Sequence, residues 1–75
     1  MKLNEGIPGH SYKVDKLSLP LRLMLRLEVL GMTGGTTVLV MNTKSRGTMI
    51  IKIRGTRFAL GKGITENIDV EEVRD

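Results

Sequence analysis

The chain has no cysteine, which excludes disulfides, thiolate metal sites and a cysteine nucleophile. A small secreted domain usually needs such staples, so their absence points to the cytoplasm. Aromatic residues are nearly absent as well: Tyr12 and Phe58 are the only two, and there is no tryptophan. Platforms that stack nucleic-acid bases need several exposed rings, so this scarcity argues against single-strand binding. No apolar run approaches the roughly 18–20 residues that span a bilayer, so direct membrane insertion is not expected. The opening Met1-Lys2-Leu3-Asn4-Glu5-Gly6 lacks the apolar core of a signal peptide. A single histidine, His10, leaves metal binding without a compact ligand set.

What is present is a short basic chain. Its 75 residues make one domain, 1–75, with a small core, since a chain of this length buries only about 60–65% of its unfolded surface. Residues 1–64 carry eleven Lys/Arg against three Asp/Glu, a balance of +8, while residues 65–75 carry −4. A basic body can meet nucleic acid or an acidic protein face, or simply keep a small protein soluble.

The pattern centres on Arg26-Leu27-Glu28-Val29-Leu30-Gly31-Met32-Thr33-Gly34-Gly35-Thr36. Leucines close a helical segment, Gly31 suits the left-handed position past a helix end, and a turn leads into Thr36-Thr37-Val38-Leu39-Val40-Met41, a β-branched, apolar strand. Before it, Leu3 to His10 is a turn-rich lead-in, and Ser11–Leu17 alternates as a strand with Tyr12 and Val14 on one face. Ser18 is placed as the N-cap, with Pro20 in the first turn of a helix reaching Leu30. Leu23, Met24, Leu27 and Leu30 form one apolar stripe. Leu21, Leu25 and Val29 form another, with Arg22 and Arg26 as a basic ridge between the two. Either a curved sheet covers both stripes, or the second faces a protein partner or another copy of the chain.

Asn42–Gly47 forms a polar, basic loop. Thr48–Arg54 follows as a strand with Met49, Ile51 and Ile53 inward. Gly55-Thr56 makes a tight turn, and Arg57–Leu60 is a strand with Phe58 and Leu60 inward. Gly61–Glu66 suits an irregular or 3₁₀ turn, Asn67–Glu71 a closing strand, and the last two residues are expected to fray. The fold class is mainly β: a small, bent barrel of about five strands with one α-helix inserted after the first. No catalytic constellation stands out. Gly61-Lys62-Gly63 lacks phosphate-loop spacing, and Ser11 and Ser18 have no supporting His/Asp pattern, so the chain reads as a non-enzyme.

The central stretch resembles the R-L-x-x-L-G-[LM]-x-P-G signature of the FeoA family, ferrous iron transport protein A. Ile51-Lys52-Ile53-Arg54-Gly55 with Phe58-Ala59-Leu60 is similar to that family's I-x-V-R-G-x-x-[LI]-A-L, and Ile68-Asp69-Val70 to its closing strand. Leu3 and Pro8-Gly9 match its opening. Two departures stand out: Gly34 replaces the usual proline, and Thr43–Thr48 is more basic than the family's A-P-L-G-D-P loop. The resemblance implies an SH3-like barrel in the cytoplasm, acting as an accessory or regulatory module on the membrane GTPase-transporter FeoB through its cytosolic portion. The same barrel accompanies a DNA-binding domain in diphtheria-toxin-regulator-type repressors, for which this chain leaves no room. For the contact surface the expected residues are Leu21, Arg22, Leu25, Arg26 and Val29 on the helix, with the outward Leu39, Met41 and Ile50. No cofactor is expected. The alternatives are a nucleic-acid-binding barrel using the Lys44/Arg46 loop, and weak binding of ferrous iron or another divalent metal by His10 and acidic residues.

Overall fold

The alternating patterns of the sequence become one antiparallel sheet in the computed structural model, which describes residues 1–73; the expected fraying of residues 74 and 75 lies outside the described residues. The strands are β1 (Ser11–Leu17), β2 (Thr37–Thr43), β3 (Met49–Ile53), β4 (Thr56–Leu60) and β5 (Ile68–Glu72), in the spatial order β4-β3-β2-β1-β5. Helix α1 (Leu21–Val29) joins β1 to β2, and the one-turn helix α2 (Lys62–Thr65) joins β4 to β5. Short 3₁₀ turns occupy Leu3–Glu5 and Ser45–Gly47.

Register breaks between Val14 and Lys16 in β1, and between Val40 and Asn42 in β2, bend the sheet into a small SH3-like barrel. Inward residues of every strand fill it: Tyr12, Val14, Val38, Val40, Met49, Ile51, Ile53, Leu60, Ile68 and Val70 form one buried cluster with Leu3, Leu27 and Met32. The Tyr12 hydroxyl is not stranded in that cluster, because the Ile7 N–H donates to it at 2.8 Å.

The turn after α1 follows the sequence closely. The Gly31 N–H donates to the Glu28 carbonyl and the Met32 N–H to the Leu27 carbonyl, both at 2.9 Å, which completes a Schellman motif. Gly31 has φ 98°, a region strained for any residue with a Cβ. Buried Met32 then packs in the same cluster as Leu27.

Several local expectations change. Ser18 does not cap α1: Pro20 holds that position, and the Ser18 N–H donates instead to the Asn67 carbonyl at 2.8 Å, tying the end of β1 to the start of β5. Leu30, placed on the core stripe, is 41% exposed because the chain has already turned away at the helix end. The β3–β4 turn is Arg54-Gly55, both at positive φ, one residue earlier than expected. Phe58 is only half-buried, since β4 is an edge strand. β2 continues to Thr43, and Gly61–Glu66 holds one α-helical turn.

The N-terminal lead-in does structural work that periodicity does not announce. Leu3 is fully buried. Met1 pairs with Val70 in both directions: the Val70 N–H donates to the Met1 carbonyl at 2.8 Å, and the Met1 amino group donates to the Val70 carbonyl at 3.3 Å. Lys2 bridges to Asp69 through the backbone, and its Nζ lies 2.8 Å from the Asp69 carboxylate. The outer edge of β5 is thereby covered.

Candidate functional site

Helix α1 has one face in the core and another in solvent. Leu27 is buried, with Leu23 and Met24 half-buried on its flanks. Leu21, Leu25 and Val29, spaced four apart, are 70%, 52% and 87% exposed. Of the two possibilities the sequence leaves open, the sheet therefore covers only one stripe. Arg22 and Arg26 are exposed beside the uncovered row, and neither forms an ion pair among the described residues. Leaving three branched apolar side chains in a row in water forgoes their burial, a pattern that marks interaction surfaces.

Leu39, Met41 and Ile50 lie on the outer side of the sheet, alternating with buried Val38, Val40, Met49 and Ile51. They are half-buried, less open than the helix row. Leu39 sits opposite Lys52, Ile50 is paired with Ala59 of β4, and Met41 falls at the register break of β2. The expected contact residues thus divide between an exposed helix row and a strand-borne set with less accessible surface.

An apolar groove that periodicity does not reveal runs between α1 and the β4–α2 corner, lined by Leu23, Arg26, Leu27, Leu30, Ala59, Leu60 and Ile64. Its only sequence signal is Ala59, a small residue on the outer side of a strand. A shallower hollow behind the helix end is lined by Leu17, Met24, Glu28, Met32, Thr33 and Gly34.

Among the described residues the ion pairs are Lys2–Asp69 and His10–Glu72. His10 places Nδ1 2.7 Å from a Glu72 carboxylate oxygen, with both side chains partly exposed. Glu71 lies opposite Lys13 and Glu72 opposite Tyr12 in the β1–β5 ladder, so the adjacent acids do not converge. Among the described residues no three His, Asp or Glu side chains gather where they could hold a metal ion. The Asp69 carboxyl is held below its usual range, first by the hydrogen bond from Lys2 and further by the positive charges of Lys2, the N-terminus and Lys16.

Nor do the two aromatic rings offer a stacking surface: Tyr12 is buried and Phe58 packs against the core. Lys44 and Arg46 are exposed on the β2–β3 loop, where Arg46 has φ 68°. No helix among the described residues is long and apolar enough to cross a membrane.

Comparison with known proteins agrees with this architecture. The FeoA domain family matches residues 1–72. Among solved structures, the chain is similar to the crystal structure of an iron uptake regulatory protein (FeoA), with 30% identity, a TM-score of 0.88 and 97% of each chain covered. It is also similar to the solution structure of iron(II) transport protein A from Clostridium thermocellum, with 26% identity and a TM-score of 0.89, covering 97% of this chain and 46% of that one. A FeoA-like protein from Clostridium acetobutylicum shares the fold, with 21% identity, a TM-score of 0.84, and 100% of this chain and 88% of that one covered. A search of curated proteins gives no match. With the barrel, the inserted helix, the Gly31 turn and a family match over nearly the whole length, the chain belongs to the FeoA domain family.

Proposed function

We propose that this chain is a cytoplasmic accessory module of ferrous iron uptake that binds the cytosolic portion of a FeoB-type membrane GTPase-transporter through the exposed row of α1. Membership of the FeoA family implies involvement in ferrous iron transport. The observation that carries the finer reading is the open row Leu21, Leu25 and Val29, flanked by Arg22 and Arg26 and backed by a helix that buries its opposite face. Such a row gives apolar anchors at helical spacing, and the two arginines add charge selectivity at its rim. Leu39, Met41 and Ile50 form a secondary contact on the sheet.

The module does no chemistry of its own. It binds, positions or modulates the GTPase domain and carries no cofactor. The His10–Glu72 pair supplies two donors at most, which supports no more than weak divalent metal contact, because hard or borderline cations draw several convergent ligands. Nucleic acid lies outside this reading, since neither ring is placed to stack on bases.

Calorimetric titration of the cytosolic portion of the cognate transporter with wild type and Leu25→Glu tests the reading. Wild type should bind, and Leu25→Glu should weaken binding at least about tenfold while the variant stays folded. Equal affinity of the two proteins would remove the helix row from the contact. If Leu25→Glu binds normally but loses self-association, the row serves a second copy of the chain.

A further inference from the structure

The two edges of the sheet are treated differently. The β5 edge is covered by the chain's own Met1 and Lys2 through backbone hydrogen bonds to Val70 and a bridge to Asp69. The β4 edge has no such cover: β4 pairs only with β3, and among the described residues no backbone group of Thr56–Leu60 bonds outside that pair. The two-residue turn at Arg54-Gly55, with φ 50° and 85°, makes Ile53 and Thr56 the closing hydrogen-bonded pair. Antiparallel alternation then directs the ladder bonds of Thr56, Phe58 and Leu60 toward β3. It turns the N–H and C=O groups of Arg57 and Ala59 outward, at the two-residue spacing an added strand requires.

Beside this bare edge runs the groove of Leu23, Leu27, Leu30, Ala59, Leu60 and Ile64. Its surroundings are basic: Arg26 lines it, Arg57 lies two residues before Ala59 on the same face of β4, and neither has an ion-pair partner among the described residues. Small proteins normally protect a free edge; the β5 edge is covered by backbone, while β4 has only its short length and Arg57.

We propose that the β4 edge receives an extended, acidic segment of a partner protein as an added antiparallel or parallel strand. On the face of that segment turned to the groove, an apolar side chain enters beside Ala59, and carboxylates two residues to either side reach Arg57 and Arg26. Backbone pairing supplies affinity, and the groove with its rim supplies selectivity. The charge pattern disfavours a second copy of this chain as occupant. Pairing β4 with β4 of another copy brings two Arg57-bearing edges together with no acidic residue on either, and the acidic β5 of another copy has its edge covered by its own N-terminus. This site is separate from the Leu21, Leu25 and Val29 row and stands without it.

The probe is the capped peptide Thr-Glu-Thr-Val-Thr-Glu-Thr, whose valine and two glutamates share one face, titrated into the ¹⁵N-labelled full chain. Two control peptides accompany it, one with lysine for every glutamate and one with proline for the central valine. The expected result is amide shifts at Arg57 and Ala59 and along Leu23–Leu30, saturating at or below about 1 mM peptide and weakening as salt screens the rim. The lysine and proline controls should bind at least about tenfold more weakly. Ala59→Pro removes an outward N–H while leaving the β3 ladder its donors, so it should keep a dispersed spectrum and lose the peptide. If that variant does not fold, Arg57→Glu carries the test and should weaken the acidic peptide about tenfold. Unmoved Arg57 and Ala59 amides, equal binding of the proline control, or shifts confined to Leu21, Leu25 and Val29 would each overturn the proposal.

Discussion

Two rows of leucine-type side chains run along the same nine-residue helix and meet opposite fates. Leu27 is buried, with Leu23 and Met24 partly covered beside it, while Leu21, Leu25 and Val29 stand in water. Composition does not distinguish the rows, since both are apolar and recur at helical spacing. What separates them is the sheet, whose core takes Leu27 and leaves the opposite face of α1 uncovered. A domain this small has no second layer to lay over the other face. The uncovered row therefore adds nothing to the core.

The comparison can be broken most severely at Leu27. Leu27→Ala should cost about 2–5 kcal/mol in urea unfolding, as a buried leucine truncation does. A loss below about 1 kcal/mol would mean that α1 is only loosely seated. Gly31→Ala comes next. A Cβ there would meet Ile53 Cγ2 at an ordinary 3.5 Å, so the penalty comes from the left-handed backbone and should be about 1–2 kcal/mol. A neutral result would show that the helix end rearranges freely. Leu25→Glu should change unfolding free energy by no more than about 0.5 kcal/mol while weakening partner binding at least about tenfold, the converse of Leu27→Ala. Collapse of the fold in that variant would place Leu25 in the core.

The smallest effect belongs to the covered edge of β5. Asp69 has its carboxyl pKa lowered in the folded chain, chiefly by Lys2. Its contribution is therefore complete above the ordinary carboxylate range and disappears as pH falls through the depressed folded value. Lys2→Met should be slightly less stable than wild type at neutral pH and should converge with it in acid. The pair is partly exposed, so high salt should also shrink the difference. A gap between the two proteins that widens in acid would contradict the assignment.

Much of the fold was legible because it rests on short periods. Tyr12 and Val14, Met49, Ile51 and Ile53, and Ile68 and Val70 alternate as half-buried strands must, and all are buried. Gly31 announced the helix stop through its backbone freedom alone. The features that escaped are tertiary. Leu3 sits in a turn-rich lead-in, and nothing local shows that it reaches the core. Ser18 has the chemistry of a cap, yet its backbone is taken by Asn67, 49 positions along the chain. Met1 and Lys2 close a sheet edge that exists only once β5 has folded.

The candidate site was legible to the same depth. Sequence periodicity isolated Leu21, Leu25 and Val29 as a second stripe without deciding whether the sheet covered it. It placed Leu39, Met41 and Ile50 outward but could not show that neighbouring strands would half-bury them. The groove beside Ala59 was invisible, because it joins residues from α1, β4 and α2 that share no local pattern.

The most direct test is a residue-by-residue NMR titration of the labelled chain with the cytosolic portion of its cognate FeoB-type transporter. The account predicts shifts concentrated at Leu21, Arg22, Leu25, Arg26 and Val29, with weaker ones at Leu39, Met41 and Ile50. A saturating titration that leaves the α1 row unmoved would contradict it.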